Sequence, residues 1–180
     1  MARVQTVAAS CGHGFSKTVR DRIEIIAGIG IAGDAHAGRT VKHRSRVRGD
    51  PNQPNLRQVH LIHAELLTEL HQRGFAVEPG DLGENILTTG IDLLALPRGS
   101  ILTIDPSGAR LEITGLRNPC AQIDAFQRGL LSAVLDRKAD GSLIRKAGVM
   151  AIALTGGAIR PGDRITVQLP PLPHLALEPV

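Results

Sequence analysis

Gly, Pro and Asp cut this chain into runs too short for long helices and well suited to strands. Six runs read as strands: Arg3 to Ala8, Arg22 to Ile26, Ser100 to Ile104, Ala109 to Thr114, Val149 to Leu154 and Arg164 to Leu169. Two of them share one construction. Leu96-Pro97-Arg98-Gly99 leads into Ser100 to Ile104, and Ile159-Arg160-Pro161-Gly162-Asp163 leads into Arg164 to Val167, so a proline-glycine turn feeds an alternating strand each time. Such segments are typical of small barrels. Two stretches read as helix instead. Between Gln58 and Gln72 the apolar positions Val59, Ile62, Leu66 and Leu70 follow a 3.6-residue period, with Gly74 as the stop. A second helix is predicted from Ala125 to Lys138, with Phe126, Leu130, Leu131, Val134 and Leu135 as its core stripe and Asp124 as its N-cap. Strands and helices do not alternate regularly, which argues against a doubly wound parallel sheet. The expected fold is mainly β, a closed antiparallel barrel with two or three peripheral helices.

A chain of 180 residues is long enough to bury one core. We expect one domain over residues 1–168, followed by a Pro-rich tail, 169–180, extended over the surface. The longest uncharged stretch near the end, Ala147 to Ile159, is glycine-interrupted and too short to span a bilayer. The apolar stretch before Cys11 is likewise too short for a signal peptide, so the expectation is a cytoplasmic protein with no membrane contact. Cys11 and Cys120 form no CxxC pair, which argues against a zinc ribbon or a disulfide framework and for two free thiols. A net charge of +4 calls for an anionic partner. Nucleic acid fits poorly, because three Phe and no Tyr or Trp cannot build a base-stacking platform. A small phosphorylated cofactor fits better.

Gly28-Ile29-Gly30-Ile31-Ala32-Gly33 matches GxGxxG literally, but no helix is expected to open at Gly33 and positions 51–57 lack the acid that would hold a ribose. The segment after it is more informative. From Ala35 to Gly49 there are Arg39, Lys42, Arg44, Arg46 and Arg48 with His36 and His43, and no carboxylate between Asp34 and Asp50. It has no apolar periodicity and reads as a long loop whose charge suits a phosphate or pyrophosphate group, or simply a solvated face. Arg57 is a further cation that calls for a specific anion nearby. His36 beside Asp34 is suggestive; His60 and His63 read as structural or surface residues, because their spacing matches no metal signature. In Gly80-Asp81-Leu82-Gly83-Glu84-Asn85-Ile86, the polar pair Glu84 and Asn85 either binds a ligand or ties down the turn.

The sharpest chemical signal is Arg117-Asn118-Pro119-Cys120. A cysteine on a proline-led turn before a helix, next to an arginine, sits where positive potential favours thiolate, although Asp124 works against it if close. Inert buried cysteines are common, so this segment alone does not decide.

In order along the chain, Phe15-Ser16-Lys17, Gly30-Ile31-Ala32-Gly33-Asp34-Ala35-His36, Arg57-Gln58-Val59-His60, Gly83-Glu84-Asn85-Ile86 and Arg117-Asn118-Pro119-Cys120 resemble the motifs of the MOSC domain family, named for the C-terminal part of molybdenum cofactor sulfurases. The match spans about Val4 to Val167. The resemblance implies a closed, pyruvate kinase β-barrel-like barrel and a single MOSC domain over 1–168. It implies that Cys120 either carries sulfur as a persulfide or ligates molybdenum in a bound pterin cofactor. Lys17, Asp34, His36, Arg57, Asn85, Arg117 and Asn118 are then the expected cofactor-binding residues. Pyridoxal phosphate belongs on a partner cysteine desulfurase, because this chain has no domain for it. Other expected partners are a molybdoenzyme client and, for a molybdenum-dependent reductase of N-hydroxylated compounds, an electron-donor protein. A non-catalytic anion or nucleic-acid binding module is the reading from outside the enzymes.

Overall fold

The computed structural model describes residues 1–42 and 44–180, and the backbone alone of Arg44 and Ser45. Strands β1 (Arg3–Ala9), β2 (Thr18–Arg20), β3 (Ile23–Ile26) and β4 (Gly30–Ile31) come first. Helix α1 (Arg44–Gly49) follows, then β5 (Val59–His63), α2 (Ala64–Gln72), β6 (Ile86–Thr89), β7 (Ile101–Asp105) and β8 (Ala109–Leu116). Helices α3 (Gln122–Phe126) and α4 (Leu130–Ala133) precede β9 (Leu135–Arg137), β10 (Leu143–Arg145), β11 (Val149–Thr155), β12 (Gly157–Ile159) and β13 (Arg164–Gln168).

Seven strands close into a barrel in the order β13-β7-β8-β11-β5-β6-β1, with β1 returning to β13 through Arg3↔Arg164. The fold is therefore the mainly β closed barrel that the turn pattern predicts. One pair departs from antiparallel: β5 and β6 run parallel, joined through α2. Both proline-glycine turns precede strands as expected, β7 and β13, which pair with each other. The GxGxxG glycines lie in the β3–β4 hairpin, where no helix opens.

Two cores result. Val4, Val7, Val59, Leu61, Leu102, Leu111, Ile113, Val149 and Ala151 fill the barrel interior. Ile62, Leu66, Leu70, Leu87, Ile123, Leu130 and Val134 fill the space between the outer face of the sheet and the helices. Each fully buried Val, Leu or Ile among them contributes about 1.5–3 kcal/mol of transfer free energy.

This second core explains the first correction. Residues predicted as the start of a helix at Gln58 form β5, with Val59 to Ile62 all buried. A strand covered on both faces reads as an unbroken apolar run, and Val59, Ile62 and Leu66 happen to fall at helical spacing. Only Ala64–Gln72 is helical, burying Leu66, Leu67 and Leu70. The second predicted helix is also broken. Gln127 is extended and Gly129 has φ 86°, so α3 and α4 are separate turns, and Leu135 continues as a strand. Asp124 lies inside α3 and accepts a hydrogen bond from the Leu131 N–H at 2.7 Å, while Phe126 faces out, 39% exposed.

The basic segment is not all loop: Arg44–Gly49 is helical. His43 lies outside the described residues. Residues beyond Gln168 run over the surface: Arg98 N–H donates to the Leu175 carbonyl, and Leu116 exchanges backbone bonds with Glu178 and Val180. No helix among the described residues is long and apolar enough to cross a membrane.

Candidate functional site

Alternation along β5 and its partner β11 sends Val59, Leu61, Val149 and Ala151 inward and His60 and Met150, paired in register, outward. His60 and Met150 thereby line a cleft of about 600 Å³ on the outer side of the barrel. Its walls come from the segment after β1 (His13, Phe15, Lys17), from His36, from α1 and its approach (Lys42, Arg46, Arg48), and from residues preceding β5 and β6 (Asn55, Arg57, Gly83, Asn85). The segment after β8 supplies Arg117, Asn118 and Cys120.

One wall is a closed network. Asp34, with its side chain wholly buried, receives the Lys17 ammonium at 2.6 and 2.8 Å, the Ser10 and His36 backbone N–H groups, and the Asn85 amide at 3.1 Å. Burial by itself would raise its pKa, but hydrogen bonds from His36 and the Lys17 charge hold it well below the usual carboxylate range. For Lys17, burial prevails and lowers the ammonium pKa, against the pull of Asp34. Asn85 also donates to the Ala8 carbonyl and accepts from the His60 N–H, so both of its amide donors are committed to holding β1 and Asp34 and its oxygen to β5. Of the expected site residues, Asp34 alone lies behind the cleft surface rather than on it.

The turn Gly80 to Gly83 supports this wall from beneath. A Cβ on Gly80 or Gly83 would meet the Lys17 or Phe15 carbonyl, and both residues have positive φ, so only glycine fits there. Glu84 closes the turn by accepting the Gly80 N–H; burial raises its pKa, and its Oε2 has no partner.

The opposite wall leaves hydrogen-bond donors unpaired. Arg57 Nε and Arg117 Nη1 are buried without hydrogen-bond partners. Burial lowers the pKa of both guanidinium groups, and Arg46 and Arg117 lower that of Arg57 further. Cys120, half-buried, lies within electrostatic reach of both arginines, and its Sγ sits 3.5 Å from Gln122 Oε1. The expected competitor Asp124 does not line the cleft and accepts the Leu131 N–H. Arg117 also stands 5.8 Å from the Phe15 ring centroid, a cation–π contact. Asn118 is exposed and accepts from Arg145 Nε at 3.2 Å.

Two contributors were not expected from the sequence as site residues, and a third, Glu84, was expected either to bind a ligand or to tie down its turn. His60, 5% exposed, donates from Nε2 to the Ala147 carbonyl at 2.8 Å; burial and Arg117 keep it neutral. His13 meets His36 edge to face at 5.8 Å. Glu84 shares the electrostatics of Arg117 from below. Strand alternation from Val59 would have placed His60 opposite the interior, had β5 been read as a strand. Cys11, exposed, does not line the cleft. No cluster of three His, Cys, Asp or Glu side chains with metal-binding geometry occurs among the described residues.

Lys17, Lys42, Arg46, Arg48, Arg57 and Arg117 thus line one concavity that has no carboxylate on its described surface. Such a concavity has the charge to accept an anion, and Cys120 brings a soft sulfur to it.

The family model of the MOSC domain matches residues 39–166. Among solved structures, the YuaD protein from Bacillus subtilis is 28% identical, with a TM-score of 0.76 over 95% of this chain and 98% of that one. YiiM from Geobacillus stearothermophilus is 15% identical (TM-score 0.67, 98% and 80% covered). YiiM from Escherichia coli is 16% identical (TM-score 0.59, 94% and 71% covered). The two YiiM structures share the fold with this chain. A search of curated proteins returns no significant match.

Proposed function

The chain belongs to the MOSC domain family, and on that premise we propose that the cleft binds the phosphate-bearing pterin form of molybdenum, with Cys120 as its sulfur carrier or metal ligand. One observation carries this reading: the cleft's thiol stands beside two buried guanidinium groups with N–H donors left unpaired. An unpaired buried donor costs about 1–3 kcal/mol, and an anion removes that cost. The donor set fits the group: Arg57 and Arg117 would hold phosphate, and a thiolate is a soft ligand that molybdenum retains. Bound there, the metal would supply two-electron redox chemistry. Lys17 and His36, oriented by Asp34, form the polar wall, and Asn85 holds that wall in register rather than contacting the ligand. Asn118 fixes the approach to Cys120 through Arg145.

As a carrier, Cys120 acts by sulfur transfer without net redox. Its thiolate attacks the outer sulfur of a persulfide on a partner cysteine desulfurase; the donor S–S bond breaks, the donor leaves as thiolate, and Cys120 becomes the persulfide. Arg57 and Arg117 lie within electrostatic reach of this sulfur.

The test is elemental analysis of protein purified gently from cells that make the cofactor. Near-stoichiometric molybdenum, lost in Cys120→Ser and kept in Cys11→Ser, assigns Cys120 as ligand and directs assays to reduction of N-hydroxylated compounds with an electron-donor protein. Metal-free protein carrying a persulfide on Cys120 assigns the carrier role. Equal behaviour of the two cysteine variants overturns the reading.

A further inference from the structure

The six cations of the cleft are not equivalent. Lys17 is neutralised by Asp34. Arg57 and Arg117 lie deep, with unpaired buried N–H groups. Lys42, Arg46 and Arg48 stand at the mouth, exposed, and form no ion pair among the described residues. Solvated cations of that kind need no explanation unless something holds them at a site, and here something does. The basic segment is clasped at its base: Asn55 donates from its side chain to the His36 and Gly38 carbonyls and from its backbone to the Arg39 carbonyl. Val41, buried, donates its N–H to the Gln53 carbonyl, and Thr40 bridges Pro54. The clasp brings Arg46 close enough to Arg57 to depress its pKa, which is like-charge repulsion maintained by structure.

We propose that the cleft recognises a ligand with two phosphoryl groups, one held deep by Arg57 and Arg117 and one at the mouth by Lys42, Arg46 and Arg48. The ligand class is an organic diphosphate or a molecule bridged by pyrophosphate, rather than a monophosphate. Three observations converge on this. A single phosphate is satisfied by the two deep arginines, since each guanidinium can make two parallel bonds to one anion. The mouth cations would then face the same concavity without an anionic partner, while the clasp keeps them there. The volume, about 600 Å³, lies within the ~300–1,000 Å³ typical of organic-ligand sites and leaves room for both groups and their organic parts. The proposal deepens the pterin-phosphate reading by naming the anionic part of the ligand, and it is tested without that cofactor.

The probes are inorganic orthophosphate and inorganic pyrophosphate, titrated calorimetrically into the full chain at fixed ionic strength. Pyrophosphate is expected to bind at least tenfold more tightly. Lys42→Gln/Arg46→Gln/Arg48→Gln should remove most of that preference while leaving orthophosphate affinity within about twofold, because the deep site is intact. Arg57→Gln should weaken both probes. A control of equal charge change on the far surface, Arg20→Gln/Arg22→Gln/Arg160→Gln, should preserve the preference, which separates local recognition from net charge. The mouth residues are exposed, so the triple variant should fold; thermal unfolding verifies it, and if it fails, Arg48→Gln alone must reduce the preference. An unchanged preference in the mouth variants, or its loss in the control, overturns the proposal. Molybdenum retention through Cys120 is judged separately, so either reading can fail without the other.

Discussion

Two walls of one cleft treat buried positive charge in opposite ways. On one, Lys17 meets Asp34, and Asp34 is itself held by Ser10, His36 and Asn85, so every charge has its partner within the protein. On the other, Arg57 and Arg117 stand near each other with donors unsatisfied. The first wall satisfies its charge from within the protein, and the second leaves donors open.

Removing the anion from the paired wall has the largest expected effect. Asp34→Asn leaves a buried ammonium without its counter-charge and should destabilise the fold by about 3–5 kcal/mol in urea unfolding. If the loss is under 1 kcal/mol, the two walls do not differ as described. Removing a cation from the unpaired wall should behave differently. Arg117→Met should leave unfolding free energy unchanged or raise it by up to about 1 kcal/mol, while orthophosphate affinity falls about 10- to 100-fold, the worth of a charged hydrogen bond. A loss of stability comparable to that of Asp34→Asn would place Arg117 among the structural residues.

The pH dependence sharpens the contrast with smaller effects. Asp34 has a folded pKa far below its unfolded value near ~3.9, so its contribution is present above that pH and is lost as pH falls towards the folded value. Glu84 has a raised folded pKa, so its contribution is complete below its unfolded pKa of ~4.3 and is lost as pH rises through the folded one. Glu84→Gln should therefore gain stability over the parent progressively as pH rises above ~4.3, measured by urea unfolding at several pH values. A constant difference across that range would show that Glu84 does not titrate with folding.

The sequence made the barrel legible because turn chemistry is local: Pro97-Arg98-Gly99 and Pro161-Gly162 announce β7 and β13 whatever surrounds them. It misled at Val59 to Ile62 because periodicity assumes one buried face, and β5 has two. It misled again at Ala125 to Lys138, where an apolar stripe crosses Gly129, whose left-handed backbone ends one turn and starts another. The site was legible as chemistry, since cations, a thiol and polar turns identify themselves. Convergence was not, because it depends on contacts between residues far apart, such as Asn85 with Ala8 and Asp34. His60 was legible as a structural residue but not as part of the cleft lining, because that depends on which face of β5 it occupies.

Barrel closure through Arg3 and Arg164 has a consequence in time. The seam joins residues near opposite ends of the sequence, and β1, which forms it, leads directly into the segment that carries Ser10, His13 and Lys17. A pairing so distant along the chain is slow to find, which places folding towards the millisecond-to-second range of non-local β topologies. The paired wall takes shape only once β1 has docked. The Lys17–Asp34 pair then has little to hold before the main barrier is crossed, so Asp34→Asn should shorten the lifetime of the folded protein and leave the refolding rate nearly unchanged.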